Sequence, residues 1–190
     1  MEKVDKRCTI MRATLEIVAE QGFHGTPMAL VAERSGVAAG TIYRYFESKD
    51  VLIAEIYHFL EERFLAVVMD GYPEGAPVRE RFLHMGKALV KYCTSSPLEF
   101  RFLEQFHNSP YGIAHRREKF FGNKEKDVLF DLFTEAAKAG MVKDLPLPVL
   151  FALGFCPLLD ISRDHILHFI ELDAKLIDSC VEACWEAIRK

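Results

Sequence analysis

Between Gly25 and Val51 the chain reads GTPMALVAERSGVAAGTIYRYFESKDV, and its helix start and stop signals stand so close together that only short helices fit between them. Thr26-Pro27 marks a start: a threonine oxygen can accept a first-turn N–H, and proline at the first helical position loses no hydrogen bond. That helix is expected to run through Ala29, Leu30, Val31 and Ala32 to Arg34. Ser35-Gly36 supplies a turn, residues 38–45 a second short helix, and Ser48 the cap of a long helix over about 49–69. Ala32 and Gly36 are small enough for the two short helices to pack closely. Ile42 and Phe46, four apart, fall on one face and anchor the second helix in a core. Tyr43 and Arg44 then project outward, and with Thr41 and Tyr45 they form a compact set of groups able to meet phosphates and base edges. This pattern suits a DNA-reading helix-turn-helix better than an enzyme active site.

Nearly every other segment also reads as helix. No run alternates with period two, and no Asn-Gly or Asp-Gly hairpin turn occurs. Residues 5–21 carry Met11, Leu15 and Val18 on one stripe, with Ile10 and Ile17 beside it, and Gly22 ends that helix. The helix at 49–69 is expected to turn Leu52, Ile56, Phe59 and Leu60 inward. Two prolines and two glycines in residues 70–77 make a loop. Further helices are expected over 78–94, 98–107, 113–139, 147–169 and 173–189, with Pro157 kinking or interrupting the fourth of these. The fold class is therefore all-α. We place the functional boundary near residue 50, giving domains at 1–50 and 51–190, with the long helix serving both.

Half of the 190 residues are apolar, enough for a folded chain with a substantial core. The N-terminus is charged and lacks an apolar signal region. The longest apolar stretch, 147–159, is broken by Pro148 and Pro157 and is shorter than the roughly 18 residues a membrane span needs. A cytoplasmic location without a membrane partner is expected. The five cysteines form no C-x-x-C pair, which fits free thiols in a reducing compartment. In residues 1–50, seven Lys/Arg balance seven Asp/Glu, so the net charge of −4 resides in the remainder. DNA binding must then rest on local placement of charge.

Gly40-Thr41-Ile42-Tyr43-Arg44-Tyr45-Phe46, followed by Ser48-Lys49 and Leu52, resembles the signature of the TetR family of bacterial transcriptional repressors. Gly22-Phe23, Gly25-Thr26 and Ala32-Gly36-Val37 fit the same pattern, and the resemblance covers about the first quarter of the chain. It implies an N-terminal three-helix helix-turn-helix DNA-binding domain and a C-terminal helical ligand-binding and dimerisation domain. The DNA-binding residues it implies are Thr26, Ala38, Ala39, Gly40, Thr41, Tyr43, Arg44, Tyr45 and Lys49. Under this resemblance Thr41 lies near base edges, Tyr43 and Tyr45 meet phosphate, and Arg44 meets a guanine edge or a phosphate. Thr26 and Lys49, at helix N-termini, stand where the dipole favours phosphate. The family often has Ser or Thr where this chain has Ala38 and Ala39; alanine can touch a thymine methyl but cannot hydrogen-bond a phosphate.

The resemblance further implies a repressor that binds a palindromic double-stranded operator and is released by a small, largely apolar effector. It implies a homodimer through the helices at 147–169 and 173–189, with no cofactor and no metal. Phe151, Phe155, Leu158, Ile166, Phe169, Leu172, Ile177, Val181 and Trp185 agree with that dimer, unless they only fill the monomer core. For the effector, Phe102, Phe106 and Tyr111 offer aromatic walls and Glu104, Gln105 and His107 polar tips, with Phe155 a further candidate. An inward Glu104 would favour a cationic lipophilic effector, because a buried unpaired carboxylate is unfavourable. The helix at 98–107 is expected to couple that pocket to the helix at 49–69. Cys180 and Cys184 share a helix face and are packing residues or a thiol sensor. His165 and His168, with Asp164 and Glu171, form an incomplete metal set. The alternative class is a helical lipid- or small-molecule-binding protein or an enzyme, and no G-x-S-x-G, H-E-x-x-H, G-x-G-x-x-G or phosphate-loop pattern supports the enzyme.

Overall fold

The computed structural model describes residues 5–121 and 128–190. Among the described residues there are ten helices: α1 (Lys6–Gln21), α2 (Met28–Ser35), α3 (Ala39–Tyr45), α4 (Lys49–Met69), α5 (Val78–Ser95), α6 (Pro97–His107), α7 (Pro110–Phe121), α8 (Val128–Lys138), α9 (Leu147–Ile166) and α10 (Ala174–Ile188). Two of their ends differ from the sequence expectation for identifiable reasons. Thr26 does not cap α2; it is fully buried, its hydroxyl donates to the Gly22 carbonyl at 2.7 Å, and Pro27 takes the cap position. Helix α9 continues through Pro157, whose unpaired turn lies on an exposed face, and stops at Ile166 instead of 169. There His168 takes a left-handed φ of 63°, its N–H donating to His165 and that of Phe169 to Asp164, so the last carbonyls are satisfied without a glycine. The expected single helix over 113–139 is found as α7 and α8, and its middle lies outside the described residues.

The chain divides into two compact units, Met1–Arg63 with Leu98–Ile113, and Phe64–Pro97 with Ala114–Lys190. In the first, Ile10, Ile17, Val31, Ile42, Phe46, Leu52, Ile53, Ile56, Leu60 and Phe102 close one core. This packing division falls later than residue 50 because Leu52 to Leu60 complete the core begun by Ile42 and Phe46. Phe59, expected to face inward, is exposed under the Arg63 guanidinium, and Ile53 takes the inward place. In the second unit Phe82 stacks on Phe155 with ring centroids 4.9 Å apart, and Phe133 and Trp185 pack against the pair. Gly86 lets α5 and α10 meet: a Cβ there would stand 2.6 Å from Val181 Cγ1.

The turn from α6 to α7 is equally tight. The buried Ser109 hydroxyl donates to the Phe106 carbonyl at 2.6 Å. A Cβ at Gly112 would fall 2.3 Å from that carbonyl oxygen and 2.5 Å from His107 Cα, both rigid backbone. Only glycine allows this corner. Gly112→Ala is expected to lower stability by about 3 kcal/mol, the upper range for overpacking, read as a shift in the urea midpoint. An unchanged midpoint would show that the corner relaxes freely.

Candidate nucleic-acid interface

The first three helices are locked to one another before any partner arrives. Gly22 ends α1 with φ 71°, and Gly36 ends α2 with φ 65°, so both turns use conformations that side chains disfavour. Arg34 on α2 grips Glu20 on α1 with two bonds of 3.1 Å. That hydrogen bonding, followed by the charge of Arg34, holds the Glu20 carboxyl below its ordinary range and pushes the guanidinium above its own. Arg34 is thus a structural cation. Arg7 near the start of α1 pairs with Glu55 on α4 and lies over the Phe46 ring.

Helix α3 is seated through two side chains. Ile42 and Phe46 are fully buried, as their spacing requires. Ala38, Ala39, Gly40, Tyr43, Arg44 and Tyr45 are exposed and Thr41 is half-buried. Tyr43 is 51% and Tyr45 45% exposed, an unusual display for two aromatic side chains beside an arginine. Lys49 opens α4, but its ammonium donates to the Phe23 carbonyl, which ties the start of α4 to the α1–α2 turn. Seven of the nine sequence-derived positions therefore share one surface of α3 and its entry (Ala38 to Tyr45, omitting Ile42), Lys49 is half-buried at the start of α4, and Thr26 is interior. The Thr26 hydroxyl is committed to Gly22, so it serves the turn and has no path to a phosphate.

The effector candidates separate. Phe102 and Phe106 belong to the core of the first unit, where Phe106 stacks on Tyr57 at 4.0 Å and Phe102 meets Phe23 edge-on at 5.6 Å. Glu104 is half-buried and is not among the buried polar atoms lacking a partner, so the argument for a cationic effector lapses. His107 is exposed, with its ring edge against Tyr57. Tyr111 is half-buried, and its hydroxyl donates to Asp50 Oδ1 at 2.6 Å. Burial, then that bond, pushes its phenol up to about 12. Phe155 lies in the core of the second unit.

Several other sequence-level candidates resolve in the same way. Of the residues expected to exceed one core, Phe155, Leu158, Val181 and Trp185 are buried within the chain. Phe151, Ile166, Leu172 and Ile177 are half-buried and Phe169 is exposed, and on α9 and α10 Val149, Leu153 and Leu176 are exposed as well. Leu153, Pro157, Ile161, Cys180, Ala183 and Ala187 border a groove of about 290 Å³. Burial pushes the Cys184 thiol up to about 11, which favours a packing thiol over a reactive one. His165 Nδ1 accepts the Leu172 N–H at 3.3 Å and so braces the α9–α10 turn. Among the described residues no three His, Cys, Asp or Glu side chains gather into a metal site.

Two family models match the chain. "Bacterial regulatory proteins, tetR family" matches residues 10–56, and "Tetracyclin repressor-like, C-terminal domain" matches residues 77–189. The chain belongs to the TetR family. An HTH-type transcriptional regulator of Haemophilus influenzae is 30% identical to this TetR-family chain over 189 residues, covering 99% of this chain and 98% of the relative. A crystal structure of a TetR-family regulator from Haemophilus influenzae superposes with a TM-score of 0.80 at 28% identity, covering 99% of this chain and 98% of that one. A putative TetR-family regulator from Vibrio parahaemolyticus gives 0.76 at 31% identity, covering 98% and 99%. This TetR-family protein is therefore a transcriptional regulator with a DNA-binding helix-turn-helix, and its relatives are regulators and not enzymes.

One residue on the exposed face has no internal explanation. A Cβ at Gly40 would meet nothing within 4 Å, and its backbone is helical, so neither packing nor conformation requires glycine. Glycine inside a helix is disfavoured by about 0.5–1 kcal/mol relative to alanine. Gly40→Ala is expected to raise stability by that amount while weakening duplex binding, because the bare Cα leaves room for close approach from outside. Thermal melts and a fluorescence-anisotropy titration read the two effects separately. A stabilised variant with undiminished duplex affinity would remove Gly40 from the contact surface.

Proposed function

We propose that this regulator is a ligand-responsive repressor that binds a palindromic operator as a homodimer and is released by a small, largely apolar effector. The observation that carries the DNA-binding part is the exposed Tyr43-Arg44-Tyr45 face of α3, held outward by buried Ile42 and Phe46. In this reading residues 1–50 hold the reading unit, and 51–190 the effector and dimer functions. Thr41 and Arg44 read base edges, while Tyr43, Tyr45 and the backbone of Ala38, Ala39 and Gly40 meet phosphate and sugar. Lys49 adds positive potential at the start of α4 while bonded to Phe23. Thr26 holds the turn.

Selection of bound duplexes from a random pool tests the reading. Enrichment of a palindrome is expected, with half-sites about 34–36 Å apart or a multiple of that. Affinity should fall steeply with salt, since phosphate contacts release counterions. Tyr43→Ala should weaken all duplexes, whereas Thr41→Ala and Arg44→Ala should also change base preference. Unchanged affinity and unchanged base preference in these variants would sink the assignment of α3.

The open face of α9 and α10 supports self-association, because exposed Val149, Leu153 and Leu176 flank an apolar groove. Leu153→Glu is expected to leave the monomer folded and to weaken the dimer at least about tenfold, since the charge would be buried without a partner. Sedimentation equilibrium measures this, and an undisturbed dimer would exclude this face. For the effector, we place an apolar ligand in the second unit near Phe155, where it would have to displace packed side chains, since Phe155 is itself part of that core. The α6 aromatics Phe102 and Phe106 are already committed to the other core.

A further inference from the structure

The corner between α6 and α7 delivers one side chain to the start of α4, and it does so with unusual local means. Ser109 folds its hydroxyl back onto Phe106, and Gly112 alone fits against the backbone of Phe106 and His107. Between them stands Tyr111. Its ring lies edge-on to Phe23 at 5.4 Å and parallel to Phe106 at 6.4 Å, so the ring is positioned from two sides. Its hydroxyl donates to Asp50 Oδ1 at 2.6 Å. Asp50 is the second residue of α4, and its neighbour Lys49 donates to the carbonyl of the same Phe23. The first turn of α4 is thereby held from two directions, by the α1–α2 turn through Lys49 and by α7 through Asp50. Only Phe46, Glu47 and Ser48 separate that turn from the last residue of α3. Whatever fixes the first turn of α4 fixes the direction in which the exposed face of α3 points.

We propose that the Tyr111–Asp50 bond is a positioning latch for DNA reading, with Tyr111 acting on the operator through α4 and α3 and not by touching DNA. The latch rests on the assignment of α3 as the reading helix. A hydrogen bond between a neutral donor and a carboxylate is short, directional and stronger than a neutral pair, which suits it to setting an angle. A residue that only filled the core would do so through its ring; the hydroxyl and its acceptor are what the latch requires. Loss of the latch should therefore reduce discrimination between the right and the wrong duplex more than it reduces attraction to DNA in general.

The test uses the full chain and four variants, Tyr111→Phe, Asp50→Ala, Asp50→Asn and the pair Tyr111→Phe with Asp50→Ala. The probes are the duplex enriched from the random pool and a scrambled duplex of the same length, and the readout is the ratio of the two affinities. The ratio cancels the uniform gain expected when a negative charge near DNA is removed. Tyr111→Phe and Asp50→Ala should each lower the ratio about tenfold or more, the low end of what one hydrogen bond to a charged group is worth. The double variant should do no worse than either single one, because both remove the same bond. Asp50→Asn keeps an acceptor oxygen and should retain most of the discrimination. An unchanged ratio in Tyr111→Phe and Asp50→Ala overturns the latch, as does full additivity in the double variant. If Tyr111→Phe lowers the thermal midpoint, Asp50→Ala at the exposed end of the bond still decides the matter. A wild-type chain with no preference among duplexes would instead defeat the assignment of α3, and the latch with it.

Discussion

Burial of Ile42 and Phe46 is the constraint on which the DNA-facing part of this molecule depends. The two side chains are completely enclosed by the core of the first unit. Each fully buried aliphatic or aromatic side chain contributes about 1.5–3 kcal/mol by leaving water, which is large for a helix of only seven residues. So short a helix would not persist in water by itself. Its existence and its orientation are consequences of tertiary burial, and the exposure of Tyr43, Arg44 and Tyr45 is the geometric complement of that burial. The same residues that stabilise the fold on one side of α3 present chemistry on the other.

The chain as a whole carries a net charge of −4 and still belongs to a family that binds DNA. Charge placement within the first unit resolves the tension. Arg34 is neutralised by Glu20, Arg7 by Glu55, and Lys49 is bound to a carbonyl. These cations hold α1, α2 and α4 together. The exposed face of α3 offers instead two phenols, one guanidinium and a run of small residues whose backbone can be approached closely. Such a face is suited to hydrogen bonds and shape fit at close range more than to a broad positive field.

In the second unit the aromatic side chains serve packing first. Phe82, Phe133, Phe155 and Trp185 form a continuous cluster, Gly86 is where two helices approach too closely for a side chain, and at Gly154 a Cβ would press on the Phe82 and Phe133 rings at 3.2 Å. What remains outside this cluster is the open strip on α9 and α10. Its small residues, Ala183 and Ala187, and its short thiol at Cys180 make a shallow surface suited to another helix. The left-handed turn at His168 closes the end of α9 and is braced by His165, so residues that had the types of a metal site are explained by the turn they build.

The amino-acid sequence by itself determined the all-α class, the boundaries of α4 to the residue, the inward pair Ile42 and Phe46, and the family. Those features depend on local signals: Ser48 as a cap, Gly22 and Gly36 as stops, a spacing of four. Tertiary structure alone decided where Thr26 points, which core receives Phe102 and Phe106, and where α9 ends, because each outcome is a competition among distant partners for one side chain or one carbonyl. The sequence shows that an aromatic residue will be buried but not in which of two cores. The bond from Tyr111 to Asp50 spans 61 positions, and no local pattern encodes it. It exists because a glycine corner and two aromatic neighbours bring a phenol to the start of a helix that begins far earlier in the chain.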